Sequence, residues 1–236
     1  MTRKLLPPPG TGPAVVPSVL SADMLEFGRQ VAAVSRAGSR WVQVDVMDGR
    51  FVPNISFGPG LVKALHARFP QLLLDAHLMV ERPQDCLKAF LDAGAGLVTV
   101  HAEAKADVAA VLRRIKKSGA CAGLALNPAT PVARASKYRG LFDLLLVMTV
   151  TPGFGGQKFL DGSLEKIAQA RRLIEQQPRR KAWLQVDGGI DLATASGAAK
   201  AGADSLVAGN AVFGAGKPAA SYSKLLKAVK EAARWQ

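Results

Sequence analysis

The stretch that decides the fold reads Val42-Gln-Val-Asp-Val-Met-Asp-Gly-Arg-Phe-Val-Pro-Asn54. Its valines alternate with polar residues, and Gly49 and Pro53 then end the run, which is the pattern of a short strand that leads into a loop. Asp45 therefore falls at the end of a predicted strand. In a chain of this size and pattern, a carboxylate at that place is typical of a catalytic group.

Strand-like apolar runs recur along the 236-residue chain, and amphipathic stretches follow them. The predicted strands are residues 14–20, 41–45, 72–78, 97–101, 122–126, 144–148, 183–187 and 205–208. The predicted helices are residues 24–37, 60–68, 83–93, 106–118, 164–176, 192–201 and 218–235, with a weaker one at 131–139. Several of these helices end on a glycine C-cap, namely Gly94, Gly119 and Gly202.

Eight strand–helix units favour a closed barrel over an open sheet. A doubly wound Rossmann sheet is the alternative, but no G-x-G-x-x-G motif opens a helix early in the chain. We therefore predict an α/β protein with a single (β/α)8 TIM barrel at residues 13–236. Residues 1–12, with three consecutive prolines, are predicted to form a flexible N-terminal arm.

The overall composition narrows the classes of partner. The 31 lysines and arginines against 18 acidic residues give a net charge of +13, which favours anionic ligands such as phosphorylated metabolites. The basic clusters lack interleaved aromatic residues, so we expect no nucleic-acid partner. No apolar run approaches the roughly 18 residues of a membrane span, and we expect no membrane partner. Cys86 and Cys121 are isolated, which indicates a reducing compartment; we expect the cytoplasm, with an organelle as the alternative.

Residues suited to catalysis or ligand binding lie at the predicted strand ends, where the loops of a barrel form its active site. These residues are Ser18, Asp45, His77, His101, Asn127, Met148, Asp187, Gly209 and Asn210. Asp45 and Asp187 would face each other across the barrel mouth. Opposed carboxylates suit the removal of a proton from one face of a carbon and its return to the other, which is an epimerisation. Both aspartates are therefore predicted catalytic residues.

Several other residues at this end have two interpretations. His77, beside two carboxylates, is a predicted metal ligand, although a lone strand histidine is more often a core residue. His101 is either a support for the site or structural, and Asp48 is either functional or a cap of the following turn. The methionines Met47, Met79 and Met148 either fill the core or form an apolar cover over a sugar.

Three glycine-containing loops follow the late strands and predict a phosphate site. Backbone N–H groups freed by glycine approach a phosphate closely, and barrels tend to bind phosphate after strands seven and eight. The predicted substrate-binding residues in these loops are Gly153, Phe154, Gly155, Gly156, Gly188, Gly189, Gly209 and Asn210.

These motifs together resemble the ribulose-phosphate 3-epimerase family over about residues 15–213. The matching stretches are Val16-Pro-Ser-Val-Leu-Ser-Ala-Asp23, Val44-Asp-Val-Met-Asp-Gly49, Phe51-Val-Pro-Asn54, His77-Leu-Met-Val80, Leu126-Asn-Pro-Ala-Thr130, Met148-Thr-Val-Thr-Pro-Gly-Phe-Gly-Gly-Gln157 and Val186-Asp-Gly-Gly-Ile190. The resemblance implies interconversion of D-ribulose 5-phosphate and D-xylulose 5-phosphate through an enediolate. It also implies that Ser18 and His77 contact the sugar.

The resemblance further implies a divalent metal cation, such as zinc, iron or manganese, held by Asp45, His77 and Asp187. Members of the family usually carry a fourth ligand, a histidine, where this chain has Gln43. An amide oxygen is a poorer ligand than imidazole for zinc or iron, so we predict weaker metal affinity or a changed metal preference. In a stronger hypothesis Arg50, at another position where histidine is common, supplies the missing charge.

Other readings stay open from the residues alone. The substrate could be another ketose phosphate, or the chain could be a non-catalytic descendant that binds a sugar phosphate. Gln185 and Asn210 are further departures, at positions where an acid and a serine are common. Related barrel decarboxylases carry an Asp-x-Lys-x-x-Asp run that is absent here. By analogy with other barrels we expect a homo-oligomer.

Overall fold

The computed structural model describes residues 5–8, 12–176 and 182–233. Within these residues, eight strands alternate with helices. The strands are β1 (Ala14–Pro17), β2 (Trp41–Met47), β3 (Leu73–Met79), β4 (Leu97–His101), β5 (Cys121–Leu126), β6 (Leu144–Met148), β7 (Trp183–Asp187) and β8 (Ser205–Ala208). The α-helices are α1 (Phe27–Arg36), α2 (Pro59–Arg68), α3 (Pro83–Asp92), α4 (Val108–Lys117), α5 (Ser163–Glu175), α6 (Ala195–Lys200), α7 (Asn210–Phe213) and α8 (Pro218–Ala233). Two 3₁₀ helices lie at Val19–Ser21 and Val132–Tyr138.

The strands form one parallel sheet that curls into a barrel. Each strand from β2 to β8 pairs with the next in the chain, and β1 pairs with β8. The remaining gap between β1 and β2 is bridged by a single pair, Ser18 with Gln43. The predicted TIM barrel is confirmed, and its carboxyl-terminal strand ends gather the predicted site residues on one rim.

Several helix boundaries follow from local chemistry that the sequence contains. The Asp107 carboxylate accepts a hydrogen bond from the backbone N–H of Ala110 and thereby caps α4. Gly94, Gly119 and Gly202 follow α3, α4 and α6 with φ angles of 100°, 81° and 110°. These left-handed conformations confirm the predicted glycine caps.

The amino-terminal end of the barrel is plugged by large side chains. Trp41 and Trp183, at the starts of β2 and β7, meet edge to face with ring centroids 5.7 Å apart. The indole N–H of Trp183 donates to the carbonyl of Pro7, 2.9 Å away. Most of the predicted arm at residues 1–12 lies outside the described residues, and its flexibility stays a prediction. Because this end is filled, the opposite end is left to form the site.

Some elements differ from the prediction for physical reasons. The first helix begins at Phe27 rather than at residue 24, because the Asp23 carboxylate accepts the N–H of Leu25 and holds a turn there. Strand β2 continues to Met47, since this residue still pairs with Met79 on β3. The short helix α7 was not predicted. Among the described helices, none is long and apolar enough to cross a membrane.

Candidate active site

A cavity of about 440 Å³ opens at the carboxyl-terminal ends of the strands. Both predicted catalytic aspartates line it, together with Ser18 and all the predicted residues of the glycine loops. The three methionines Met47, Met79 and Met148 are part of its wall. Its size is in the range of small-molecule sites. Gln43 and His77 are fully buried, and they lie behind the wall rather than in it.

Asp45, near the end of β2, is held by three hydrogen-bonding neighbours. Its Oδ2 accepts from the Ser18 hydroxyl at 2.5 Å, and its Oδ1 accepts from the Gln43 amide at 2.8 Å. The Nδ1 atom of His77 lies 2.9 Å from the same Oδ1. Burial alone would raise the pKa of Asp45, but the hydrogen bonds and the charge of His77 hold it below the usual value. This carboxylate is therefore ionised at neutral pH.

Asp187, at the end of β7, has the opposite tendency. Its Oδ2 accepts from the Gln43 amide at 2.6 Å, and its backbone carbonyl accepts from the Thr149 hydroxyl at 2.9 Å. Burial, and then the nearby charge of Asp45, raise the pKa of Asp187 to about 7. Near neutral pH the site thus pairs an ionised Asp45 with an Asp187 that tends to retain its proton. Such a pair can accept and donate a proton within one cavity.

The Gln43 side chain connects the two carboxylates. Its amide nitrogen donates to both aspartates and lies 3.4 Å from Nδ1 of His77. Its Oε1 atom is buried and finds no hydrogen-bond partner among the described residues. The donor end of this amide is therefore fully used while its acceptor end is not.

His77 is the first member of a buried row of polar groups. Its Nε2 lies 2.9 Å from Nε2 of His101, and the two rings stack with centroids 5.0 Å apart. Nδ1 of His101 lies 3.3 Å from Glu103, whose other oxygen accepts the N–H of Asn127. Burial chiefly lowers the pKa of His101 to about 4, so this ring is neutral.

This row fixes the direction in which His77 faces. Neutral His101 has one N–H, and the Glu103 carboxylate attracts it to Nδ1, which leaves Nε2 of His101 to accept from His77. His77 is thereby oriented with Nδ1 toward the aspartates. The structure thus gives His101 a supporting place behind His77. Glu103 carried no predicted role, and the only signal for it was its position two residues after a strand-end histidine.

Two residues of the cavity wall and one buried behind it form a donor set that could hold a metal ion. Asp45, His77 and Asp187 each offer one ligand atom, and these atoms all lie within 4.8 Å of one another. Two carboxylates and an imidazole suit a divalent cation. Gln43 could contribute only through Oε1, the atom that is unpartnered among the described residues, since an amide nitrogen that donates hydrogen bonds has no lone pair to offer.

The loops after β7 and β6 pack so closely that only glycine fits at two positions. A Cβ on Gly188 would come within 2.3 Å of Val150, and one on Gly189 within 2.3 Å of the backbone nitrogen of Phe159. Their φ angles are 116° and 64°, a region that glycine adopts without strain. Both residues line the cavity, where such a backbone can approach an anion closely.

Two other residues lie away from this chemistry. Asp48 accepts the backbone N–H groups of Arg50, Phe51 and Glu81 at 2.7–2.8 Å, which is the turn-capping interpretation. The Arg50 side chain is 75% exposed and lies 4.0 Å from Glu81. It is not part of the cavity wall, so the structure gives no support to Arg50 as a substitute for the metal charge.

Solved structures with the same architecture confirm the barrel. A 3-hexulose-6-phosphate synthase from Salmonella typhimurium matches with a TM-score of 0.70 at 22% identity, over 93% of this chain and 99% of that one. The protein KGPDC from Streptococcus mutans matches with a TM-score of 0.73 at 14% identity, over 93% of this chain and 98% of that one. At these identities the likeness is one of fold.

Sequence comparison is more specific. The chain is 44% identical over 200 residues to the ribulose-phosphate 3-epimerase of Bacillus subtilis, which covers 85% of this chain and 92% of that protein. It is 43% identical over 222 residues to the chloroplastic ribulose-5-phosphate-3-epimerase of Arabidopsis thaliana, over 93% and 77%. The model of the Ribulose-phosphate 3 epimerase family matches residues 14–213. Because the family model and these relatives match over most of its length, the chain belongs to the ribulose-phosphate 3-epimerase family.

Proposed function

We propose that this protein interconverts D-ribulose 5-phosphate and D-xylulose 5-phosphate by moving a proton at C3 between two carboxylates. The observation that carries the proposal is the pair Asp45 and Asp187, which line one cavity and have pKa values displaced in opposite directions. An ionised carboxylate serves as the general base and a protonated one as the general acid. The membership of the chain in an epimerase family supports the same chemistry.

In the proposed reaction, the ionised Asp45 removes the C3 proton from the epimer whose C–H bond faces it. The electron pair delocalises onto the neighbouring C2 carbonyl oxygen, which gives an enediolate. Asp187 then donates its proton to the opposite face of C3, and the configuration inverts. The two carboxylates have exchanged protonation states, so the reverse reaction begins with Asp187 as the base.

The loops and strand ends around the cavity would position the substrate. We assign the phosphate to Gly155, Gly156, Gly188, Gly189, Gly209 and Asn210, all of which line the cavity wall. The Ser18 hydroxyl, already bonded to Asp45, is placed to contact the sugar. The three methionines and Phe154 would exclude water from the enediolate.

We further propose that Asp45, His77 and Asp187 are the ligands of a divalent cation, which when bound supplies positive charge for the enediolate oxygens. Zinc, iron and manganese are the ions proposed. His77 has no exposed surface, and this favours a role as ligand over direct contact with the sugar.

Two alternatives are distinguishable from this proposal. If the substrate is a different ketose phosphate, the same two carboxylates carry out the reaction, and only the compound that the protein turns over differs. A non-catalytic sugar-phosphate binder would have no use for two opposed carboxylates with divergent pKa values. A cytoplasmic location and a homo-oligomeric state are proposals that fractionation and light scattering test.

The direct experiment follows D-ribulose 5-phosphate by proton NMR with the protein as purified, after chelation, and after return of manganese, zinc or iron. Formation of D-xylulose 5-phosphate to equilibrium is the expected result. If D-ribulose 5-phosphate is not converted under any condition but another ketose phosphate is, that compound is the substrate. If neither the wild type nor Gln43→His converts any ketose phosphate, the result favours a non-catalytic sugar-phosphate binder.

A further inference from the structure

The contacts of Gln43 show an unusual occupant at the proposed cation site. Its amide nitrogen lies 2.8 Å from Asp45, 2.6 Å from Asp187 and 3.4 Å from Nδ1 of His77. That Nδ1 atom in turn lies 2.9 Å and 3.6 Å from the same two carboxylate oxygens. Ligand atoms around a tetrahedral ion with bonds of about 2.0–2.1 Å are spaced by roughly 3.3 Å. Five of the six distances among these four atoms are thus 2.6–3.6 Å, near the spacing of a metal site, and one of the four atoms is the nitrogen of a hydrogen-bond donor.

We propose that Gln43 is an internal competitor for the cation: its amide ties Asp45 to Asp187 in the absence of metal, and a divalent ion binds only when these hydrogen bonds break. This inference rests on the proposed assignment of Asp45, His77 and Asp187 as the cation ligands. Its consequence is a site that binds a divalent cation weakly and reversibly.

The orientation of the amide supports competition rather than ligation. If Oε1 faced the cluster, it would stand at 2.6–2.8 Å from two carboxyl oxygens, which would place acceptor atoms against acceptor atoms. The donor orientation instead satisfies both carboxylates and leaves Oε1 buried with no partner among the described residues. Two hydrogen bonds to carboxyl oxygens are thus gained at the expense of one buried acceptor, which favours the donor orientation.

The competition has a magnitude that can be bounded. A hydrogen bond to a charged group shifts an equilibrium by roughly tenfold to a hundredfold. Cation binding must break two of them, whereas a neutral amide oxygen offers little more than the water that would replace it as a ligand. Removal of the amide should therefore strengthen cation binding, although it removes a side chain that could itself serve as a ligand.

The direction of the change in cation affinity on removal of the amide distinguishes Gln43 as a competitor from Gln43 as a ligand. Competition predicts that Gln43→Ala binds Mn²⁺ at least about tenfold more tightly than the wild type. Ligation by Oε1 predicts the reverse. The matched control is Gln185→Ala, because Gln185 is as deeply buried and lies two residues before Asp187, as Gln43 lies two before Asp45. Its side-chain amide has no hydrogen-bond partner among the described residues. Its affinity for Mn²⁺ should stay within about twofold of the wild type.

The experiment is isothermal titration calorimetry, in which Mn²⁺ and, separately, Zn²⁺ are titrated into chelator-treated, dialysed protein. If the alanine variants unfold, Gln43→Leu and Gln185→Leu form a second pair, because leucine leaves a smaller cavity. Tighter binding by both Gln43 variants than by their controls supports the proposal. Weaker binding by the Gln43 variants, or wild-type protein that retains one equivalent of zinc through chelation and dialysis, overturns it. Because the readout is affinity, a protein that binds as predicted but fails to epimerise would refute only the proposed reaction.

Discussion

Replacement of Asp187 by asparagine is the most informative perturbation of the proposed mechanism. Asparagine keeps the shape of the side chain and can still accept from the Gln43 amide, which donates to Asp187 Oδ2 at 2.6 Å in the wild type. What it removes is the proton that the raised pKa of Asp187 keeps available near pH 7. General acid–base catalysis contributes about 10²–10⁴ in rate. We therefore expect turnover to fall by that factor, which corresponds to about 2.7–5.4 kcal/mol of transition-state stabilisation.

The loss should be one-sided, and isotope exchange can show this. In D₂O, Asp187→Asn should still exchange the C3 hydrogen of the epimer that Asp45 deprotonates, but without inversion. Asp45→Asn should exchange only the other epimer. NMR of each ketose phosphate, incubated separately with each variant, measures both outcomes. Epimerisation by Asp187→Asn within tenfold of the wild-type rate would refute the assignment, as would exchange of both epimers by one variant.

Stability provides the control that the variant is folded. Asp187 has a pKa of 3.8 when unfolded and about 7 when folded, so it binds its proton more tightly in the folded state and costs stability as the pH rises from about 4 to 7. Asparagine does not titrate and escapes this cost. Asp187→Asn should therefore have a larger free energy of unfolding than the wild type in urea titrations at pH 8, by on the order of 4 kcal/mol, and the gain should disappear near pH 4.

Three further substitutions test the surroundings of the pair. Gly188→Ala should cost about 2–4 kcal/mol in urea unfolding and abolish turnover, because its Cβ would overlap Val150 at 2.3 Å and its φ is 116°; normal stability would contradict the packing. Ser18→Ala removes a hydrogen-bond donor that lowers the pKa of Asp45, so the acidic limb of the plot of kcat against pH should shift to higher pH. An unchanged acidic limb would contradict this. Glu103→Gln should lower the free energy of unfolding by about 1–2 kcal/mol above pH 4.5 and leave it unchanged near pH 2. The reason is that His101 and other donors lower the pKa of Glu103 to about 2, against the opposing effect of burial. A loss of stability that does not vary with pH in urea titrations would contradict this.

The strands and most helices could be predicted because their signals are local. The alternation in Val42–Val46 and the apolar runs of the other strands fix which residues face the sheet, and four of the eight predicted strands match the structure at both ends. Glycine caps such as Gly94 are equally local. The short helix α7 escaped prediction because its four residues are too few to carry a helical period.

The positions of the two proposed catalytic carboxylates could also be predicted, since the barrel brings every strand end to one rim. What the strand ends do not reveal is contact across the barrel. Gln43 is 144 residues from Asp187 in sequence, and nothing in either motif indicates that its amide donates to both carboxylates. Glu103 was not predicted for the same reason, because its role depends on the His77 ring, which it influences only through His101. Long-range hydrogen bonds of this kind follow from the closure of the barrel and not from local pattern.

The central claim is that the proton removed from C3 and the proton returned to it belong to different carboxylates. It is tested most directly by a single turnover of D-ribulose 5-phosphate by wild-type protein equilibrated in D₂O, with the D-xylulose 5-phosphate analysed by NMR and mass spectrometry. We predict that the first product formed carries solvent deuterium at C3. Product that retains the hydrogen of the substrate at C3 would show that one group both removes and returns it, and would contradict the account.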